Sequence, residues 1–596
     1  MCGISGIYSL VSEIKSPLPI QKLRHRGPDS IGEWWSQDRR VWLGHTRLAI
    51  VDLSPIGNQP MVDPATGNII VFNGEIYNHE QIRKHPDLQK VNWQGTSDTE
   101  TLLIGYSVLG QQIVSLLKGM FAFIIWDERN QKVFAARDRF GIKPFYYTYR
   151  SSVWSFSSET RLLEDEGISQ EGLSLYLRYG ACQDEQLILD GVKVLPSGCT
   201  LTISPQNIGC VERYWPNTLD FPTDLTPEET KYKIRNALEV SVREHLLADV
   251  PVASFLSGGI DSSIVTALAA KFYPGTLKTF SLGFAQQSFD ETAIAKKIAD
   301  KWSTEHTRIE LEPKNICEWV KEAVAAMDLP SVDAINTYII SKAVKLHSVK
   351  VALSGLGGDE LFGGYPSFKD AHYLRLLSLL PKVFGKSIGK FSNKFAKVGD
   401  IAGQGVSIQT AALARRVKTT NLDLKFLGLP TPPFTNYGHF FVDSFGEVSW
   451  AELRGYMQNM LLRDNDQMSM AVSLETRVPF LDHQLVELCL AVGEKAKRPT
   501  KENKSLLLEA CRDLLIPEVY QRKKQGFVLP MNSWLRNELQ DFSIEGLSSV
   551  KQYFPELENF LKKLHAEFMK GKLHWTRLWL WVVLGHWLAK RNLSKC

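Results

Sequence analysis

The segment Ser257-Gly258-Gly259-Ile260-Asp261-Ser262-Ser263 lies between an apolar strand, Pro251-Val252-Ala253-Ser254-Phe255-Leu256, and an apolar helix opening Ile264-Val265-Thr266-Ala267-Leu268. A strand that runs through a glycine-rich turn straight into a helix predicts a parallel sheet, because parallel strands need a helical crossover. Backbone N–H groups gather at the start of the helix, so the turn is a nest for an anion. Ser257, Gly258, Gly259 and Ser262 suit a pyrophosphate, and Asp261 is placed to reach a magnesium ion bridging the phosphates. The closing Gly-Lys-Ser/Thr of a Walker A loop is missing, which argues against transfer of a γ-phosphate. The plainer alternative is a simple glycine-rich turn.

The pattern repeats downstream. Thr279-Phe280-Ser281-Leu282-Gly283-Phe284 reads as a second strand, followed by the acidic turn Asp290-Glu291 and another helix. A third, Val349-Lys350-Val351-Ala352-Leu353, ends in Ser354-Gly355-Leu356-Gly357-Gly358-Asp359-Glu360-Leu361-Phe362-Gly363-Gly364-Tyr365. Alternating strands and helices predict an α/β doubly wound parallel sheet with its ligand at the carboxyl ends of the strands. If the first and third strands are neighbours, the two loops lie side by side and Asp359 is the second magnesium ligand. An aspartate capping the next helix is the plainer reading. Upstream, Glu228 to Leu247 reads as an amphipathic helix with Pro227 and Glu228 in its first turn.

The first ~200 residues, a plausible domain by length, carry short β-type runs instead: Val41-Trp42-Leu43, Ile69-Ile70-Val71-Phe72, Phe121-Ala122-Phe123-Ile124-Ile125-Trp126 and Lys132-Val133-Phe134-Ala135. The unbroken apolar run at 121–126 predicts a strand covered on both faces, hence a layered α+β domain. After Tyr214-Trp215-Pro216 the unpatterned stretch Asn217 to Thr226 reads as a linker. Two domains are expected, 1–215 and 216–596.

Cys2 follows the initiator methionine and becomes the N-terminus when Met1 is removed. Its thiol and α-amino group then titrate near ~8.5 and ~8, so one residue can supply nucleophile and base. That is the logic of an N-terminal-nucleophile hydrolase. Three further groups suit a bound glutamine: Arg47 for the α-carboxylate, Asp98 for the α-ammonium, and Asn73-Gly74-Glu75 directly after a strand. The Asn73 amide and the Gly74 N–H can form an oxyanion hole, a device contributing roughly 3–4 kcal/mol per donor. Taken singly, Arg47 reads as a surface ion-pair residue and Asn73-Gly74 as a hairpin turn.

A formal net charge of +4 over 596 residues, with no long Lys/Arg block, disfavours nucleic acid as a partner. Eight scattered cysteines without close C-x-x-C pairs exclude a zinc or redox motif and fit a reducing, cytoplasmic setting. Leu578-Trp579-Leu580-Trp581-Val582-Val583-Leu584 falls short of the ~20 residues needed to cross a bilayer and reads as a packed C-terminal helix, so no membrane is expected.

With these residues in view, the chain resembles the glutamine-hydrolysing asparagine synthetase family over nearly its whole length. Met1-Cys2-Gly3-Ile4, His25-Arg26-Gly27-Pro28-Asp29, Phe72 to Asn78, Ser97-Asp98-Thr99-Glu100 and Arg137-Asp138-Arg139-Phe140-Gly141 resemble its class II glutamine amidotransferase domain, an αββα layered fold. Ser257 to Ser263, Ser354 to Tyr365, Ser473 to Asp482 and Arg522-Lys523-Lys524-Gln525-Gly526-Phe527 resemble its ATP-pyrophosphatase synthetase domain.

The resemblance implies hydrolysis of glutamine to glutamate and ammonia in the first domain and, in the second, adenylation of a carboxylate by ATP with magnesium. Ammonia passes through an internal tunnel and displaces AMP. Aspartate is the implied acceptor and asparagine the product. By the same resemblance Lys504 lies near the pyrophosphate, although alone it reads as a solvated helix lysine. Leu256, Ser257, Leu282, Gly283, Ser354 and Gly355 line the nucleotide pocket, Val51 and Glu75 the glutamine pocket. A homodimer is compatible with the resemblance.

Two departures stand out. The interval between the Cys2 strand and His25 is shorter than in typical members, so a helix there is cut down. Leu356 occupies a position where typical members carry Asp or Glu to bind or deprotonate ammonia. Leucine can do neither, which keeps another acceptor open, such as a polysaccharide uronic acid or a natural-product acid. Adenylation of tRNA and a non-enzymatic binding role are the rival readings. The near-neutral charge counts against the first, and the presence of Cys2, Asn73, Asp98, Asp261 and Asp359 against the second.

Overall fold

The computed structural model describes residues 2–184, 186–215, 225–284, 292–311, 313–381, 393–402, 404–438, 443–521 and 529–591. Most of the expected linker (217–224), the acidic turn Asp290-Glu291 and the motif Arg522 to Phe527 lie outside them.

In the N-terminal half, strands β1 (Gly3–Ser9), β2 (Ser30–Trp35), β3 (Val41–Arg47), β4 (Met61–Val62), β5 (Ile69–Ile76), β6 (Gly119–Asp127), β7 (Lys132–Arg137), β8 (Tyr146–Arg150), β9 (Val153–Ser157), β10 (Lys193–Val194), β11 (Cys199–Ile203) and β12 (Cys210–Arg213) build two sheets. Their orders are β10-β8-β9-β1-β3-β2 and β12-β11-β7-β6-β5-β4. Ile4, Tyr8 and Leu43 of the first sheet share a core with Val71, Ile124 and Val133 of the second, so the sheets are stacked face to face. The helix Asp98–Leu109 covers the outer face of the second sheet with Leu102, Leu103 and Tyr106 against Phe72, Phe123 and Phe134. Ile20, Leu23 and Leu162 cover the first sheet over Ile7 and Trp42. β6 is therefore buried on both faces, as its apolar run predicts.

One expectation needs correction. Asn73-Gly74-Glu75 does not follow a strand and makes no hairpin turn; it lies inside β5, which runs on to Ile76. The reason is Gly74. It takes φ 155° opposite Phe121, where a Cβ would stand 2.1 Å from the Met120 carbonyl oxygen. Only glycine lets the polar triplet stay in the ladder at that approach.

The C-terminal half holds a five-stranded parallel sheet, β13 (Val252–Phe255), β14 (Lys278–Phe284), β15 (Glu305–Leu311), β16 (Val351–Leu353) and β17 (Glu475–Arg477), ordered β15-β14-β13-β16-β17. β13 pairs directly with β16, so the strands carrying the two glycine-rich loops are neighbours. The preceding helix, Pro227–His245, starts with Pro in its first turn and a Thr226/Glu229 capping box. The helix after β13 begins at Ile260, four residues before the apolar run, because Gly258 takes the left-handed turn (φ 75°) and Gly259 is the N-cap. Asp261 and Ser262 thus sit in its first turn.

The last apolar run forms a buried helix, Trp575–Arg591, packed on Gln540–Tyr553. The two cross where a Cβ on Gly585 would come 1.8 Å from the Gly546 carbonyl oxygen. Among the described residues no helix is long and apolar enough to cross a membrane. Leu48, Ile50, Tyr77, Met120 and Phe140 of the first half join Val252, Leu256, Val478 and Phe480 of the second in one apolar core. That shared core fixes the two halves against each other.

Candidate active sites

Cys2 stands at the head of β1 and is buried. Its backbone N–H donates to Asn73 Oδ1 at 3.0 Å, and its carbonyl accepts from Arg26 Nε at 3.1 Å. Because Oδ1 takes the Cys2 N–H, the Asn73 amide presents Nδ2 the other way. That buried nitrogen has no hydrogen-bond partner among the described residues. An unmet donor in the interior costs about 1–3 kcal/mol, so the geometry is ready for an acceptor. Burial pushes the Cys2 thiol up, which favours the thiol over the thiolate until a base acts.

Around Cys2 a cleft is lined by Arg47, Val51, Gly74, Glu75, Asp98 and Thr99 among others, so the expected pocket residues do come together. Arg47 is not a surface ion-pair residue. It is 6% exposed, and Nη1 donates to the Ser54 carbonyl and Asn58 Oδ1, each at 2.8 Å, while Nη2 donates to the Asp52 carbonyl. The loop after β3 wraps the guanidinium and fixes its direction.

Asp98 opens the helix that Ser97 caps, and Oδ2 accepts from the Ile76 N–H at 2.9 Å. Burial pushes its carboxyl up to about 6, leaving it ionised at neutral pH. Glu75 is raised well above the carboxylate range by burial and by the neighbouring charge of Glu475.

The second site lies at the carboxyl ends of β13 and β16. Ser257 Oγ and Ser262 Oγ are 2.9 Å apart, and the Gly259 N–H donates to Ser257 Oγ at 3.4 Å. The loops touch through glycine: a Cβ on Gly355 would meet Ser262 N at 2.8 Å, and one on Gly358 would meet Asp261 Oδ1 at 2.4 Å. Asp261 and Asp359 are thereby brought face to face, and the Lys504 ammonium bridges them, reaching Asp359 Oδ1 at 2.5 Å. Lys504 is not a solvated helix lysine. It is 4% exposed, precedes the helix Ser505–Cys511, and holds the left-handed φ of 55° that few side-chain residues adopt.

Leu256 is buried at the end of β13, Ser354 opens the second loop, and Leu282 and Gly283 lie one strand away on β14. Leu356 packs partly buried against the shared core. Two hard carboxylates at one point, beside a phosphate-type nest, fit magnesium, which takes one or two carboxylates and completes its shell with phosphates and water. Among the described residues no group of three or more metal-type ligands forms, so the remaining ligands would come from the nucleotide.

Sequence reasoning assigned no role to the buried charges that join the sites. Arg26, inside the His25-Arg26-Gly27-Pro28-Asp29 motif, donates Nη2 to Asp466 Oδ2 at 2.8 Å and Nη1 to Glu159 Oε1 at 3.1 Å. Lys143 Nζ reaches Asp466 Oδ1 at 3.2 Å. Arg477 reaches Glu475, Glu75 and the end of the helix Pro227–His245. Presence in a motif was the available signal. Asp466 lies 440 residues from Arg26 and 323 from Lys143, so no local pattern links these partners.

The family model for an asparagine synthase matches residues 233–589, and that for a glutamine amidotransferase domain matches residues 1–215. The chain is similar to asparagine synthetase (glutamine-hydrolyzing) 1 of Bacillus subtilis (strain 168), 32% identical over 91% of this chain and 89% of that one. It is also similar to the amidase chry2 of Gibberella zeae, 28% identical over 90% of each chain. The amidase chyE of Penicillium rubens is 29% identical over 90% of this chain and 89% of its own.

Proposed function

The chain belongs to the asparagine synthase family and is an ATP-dependent, glutamine-hydrolysing ligase, and from that premise we propose that its acceptor is aspartate and its product asparagine. Support comes from the asparagine synthetase likeness, which extends over nine-tenths of the chain. The observation that carries the chemistry is the meeting of Asp261, Asp359 and Lys504 where β13 and β16 end.

In this reading the Cys2 sulfur attacks the glutamine side-chain amide after its proton passes to the α-amino group freed by removal of Met1. The C–N bond breaks, ammonia leaves, and water cleaves the thioester to give glutamate. Asn73 Nδ2 and the Gly74 N–H take the developing oxyanion. Arg47 holds the α-carboxylate, Asp98 the α-ammonium, and Val51 and Glu75 the walls of the pocket.

In the synthetase half an oxygen of the aspartate β-carboxylate attacks the α-phosphorus of ATP and the α–β phosphate bond breaks. Ammonia then displaces AMP from the acyl carbon. Ser257, Gly258, Gly259, Ser262, Ser354 and Gly355 cradle the phosphates, while Leu256, Leu282 and Gly283 wall the nucleotide. Lys504 stands against the charge that builds up on the departing pyrophosphate. Asp261 and Asp359 would hold magnesium, which neutralises phosphate charge when bound.

A second reading is favoured by Leu356 and by the amidase relatives: the same chemistry on a different carboxylic acid. Pyrophosphate release with ATP, magnesium and glutamine, measured with and without aspartate beside mass spectrometry for asparagine, separates the two. Aspartate-dependent pyrophosphate with matching asparagine supports the first. Glutamate without aspartate-dependent pyrophosphate overturns it in favour of another acid.

A further inference from the structure

Arg477 is fully buried at the end of β17, and its polar atoms point to three places. Its backbone carbonyl accepts the Ser354 N–H at 2.8 Å, at the first residue of the second phosphate loop. Nη1 donates to the carbonyls of His245 and Leu247 at 2.8 and 2.6 Å, and Nε donates to Glu475 Oε1 at 2.5 Å. A cation belongs at the end of the helix Pro227–His245, where carbonyls lack partners.

Nη2 is different. It is buried, has no hydrogen-bond partner among the described residues, and lies 3.5 Å from Glu75 Oε1. Glu75 belongs to the other half and lines the cleft around Cys2 beside Asp98. A buried guanidinium edge without a full partner is costly. A shift of a few tenths of an ångström would complete that bond. Tyr77, two residues on from Glu75, lies against the same guanidinium at 5.6 Å.

We propose that Arg477 is a positioning residue for glutamine, supplied by the synthetase half: through Nη2 it fixes the Glu75 side chain in the glutamine pocket while its carbonyl holds the start of the second phosphate loop. The inference rests on the cleft around Cys2 being the glutamine pocket. Glu75 has no other cation within ion-pairing distance among the described residues. Loss of the guanidinium fork therefore frees its carboxyl to turn, and the glutamine it faces is held less tightly. Lysine at 477 keeps the charge and loses the fork, since an ammonium cannot serve Glu475, the helix end and Glu75 together.

The test is steady-state kinetics of the full-length Arg477→Lys enzyme with glutamine and, separately, with ammonium salts as nitrogen source. The expected result is a KM for glutamine raised roughly ten-fold or more, with ammonia-dependent synthesis within about two-fold of the parent. Glu75→Ala combined with Arg477→Lys should be no worse for glutamine KM than the more affected single variant, because both changes remove one contact.

Equal loss of glutamine-dependent and ammonia-dependent synthesis would show a merely structural arginine and overturn the inference, as would additive effects in the double variant. If Arg477→Lys does not fold, Glu475→Ala keeps the guanidinium but removes the acceptor of Nε, and the same split in KM is expected of it. Cys2→Ala runs alongside. If it still uses glutamine, the pocket reading fails; if it does not, and Arg477→Lys leaves glutamine KM unchanged, only the present inference fails.

Discussion

Asn73 Oδ1 accepts the Cys2 backbone N–H at 3.0 Å, and this contact orients the whole carboxamide. With Oδ1 committed to Cys2, Nδ2 is the free donor beside the Gly74 N–H. Gly74 itself must be glycine, because β6 passes too close for a Cβ. One bond thus locates the nucleophile and turns the oxyanion donor in the same direction.

Asn73→Ala removes both functions of that amide. The kcat for glutamine hydrolysis should fall by about 10²–10³, measured as glutamate release. Ammonia-dependent synthesis should persist, since the second site draws nothing from Asn73. Cys2→Ala should abolish glutamine use altogether with the same sparing of ammonia-dependent synthesis. Loss of both activities in the cysteine variant would sink the two-site account.

Asp98 predicts a pH dependence. Burial raises its carboxyl to about 6, so it is ionised above that pH and protonated below it. Only the ionised form attracts an α-ammonium. For glutamine hydrolysis kcat/KM should therefore fall as pH drops through about 6, approaching ten-fold per pH unit. The bound ammonium stabilises the carboxylate, so kcat at saturating glutamine should break at lower pH. Asp98→Asn should remove the break while raising glutamine KM at neutral pH.

Much of this was legible from sequence where local patterning decides. The strand, glycine turn and helix around Ser257 predict the parallel sheet, and the apolar run at 121–126 predicts a doubly covered strand. Asn73-Gly74 misleads because the pair is a hairpin signal by local preference, whereas tertiary packing against Met120 holds it inside β5. Lys504 misleads because its surroundings read as a helix face, yet the carboxylates that bury it come from loops far away in the chain. Arg26, Asp466 and Arg477 carry no local periodicity that would reveal their partners. Ion pairs between residues such as 26 and 466 become visible only when the two halves dock.

Lys504→Met should remove adenylation, read as loss of acceptor-dependent pyrophosphate release by about 10²–10³ or more, while glutaminase activity remains. Activity is not the only readout. In the parent protein the ammonium competes with a cation for Asp261 and Asp359; in the variant both carboxylates face each other with no lysine between them. Magnesium alone, without nucleotide, should therefore raise the melting temperature of Lys504→Met more than that of the parent. Asp261→Asn should abolish that extra stabilisation along with adenylation.

Asp466 predicts a stability effect joined to a loss at the distant nucleophile. Its two oxygens take Arg26 Nη2 at 2.8 Å and Lys143 Nζ at 3.2 Å, and both cations are fully buried. Asp466→Ala takes one carboxylate away from each of two buried cations, and removing one partner of a buried pair costs about 3–5 kcal/mol. Arg26 also donates to the Cys2 carbonyl, so its displacement reaches the head of β1. The urea midpoint should fall, and in the residual folded enzyme glutamine hydrolysis should drop further than ammonia-dependent synthesis. Asp466→Asn keeps acceptor geometry on one oxygen and should lie between parent and alanine variant in both measurements. An alanine variant as stable as the parent, with unaltered glutamine kinetics, would show that the Asp466 pairs contribute nothing to holding the two halves together or to placing Cys2.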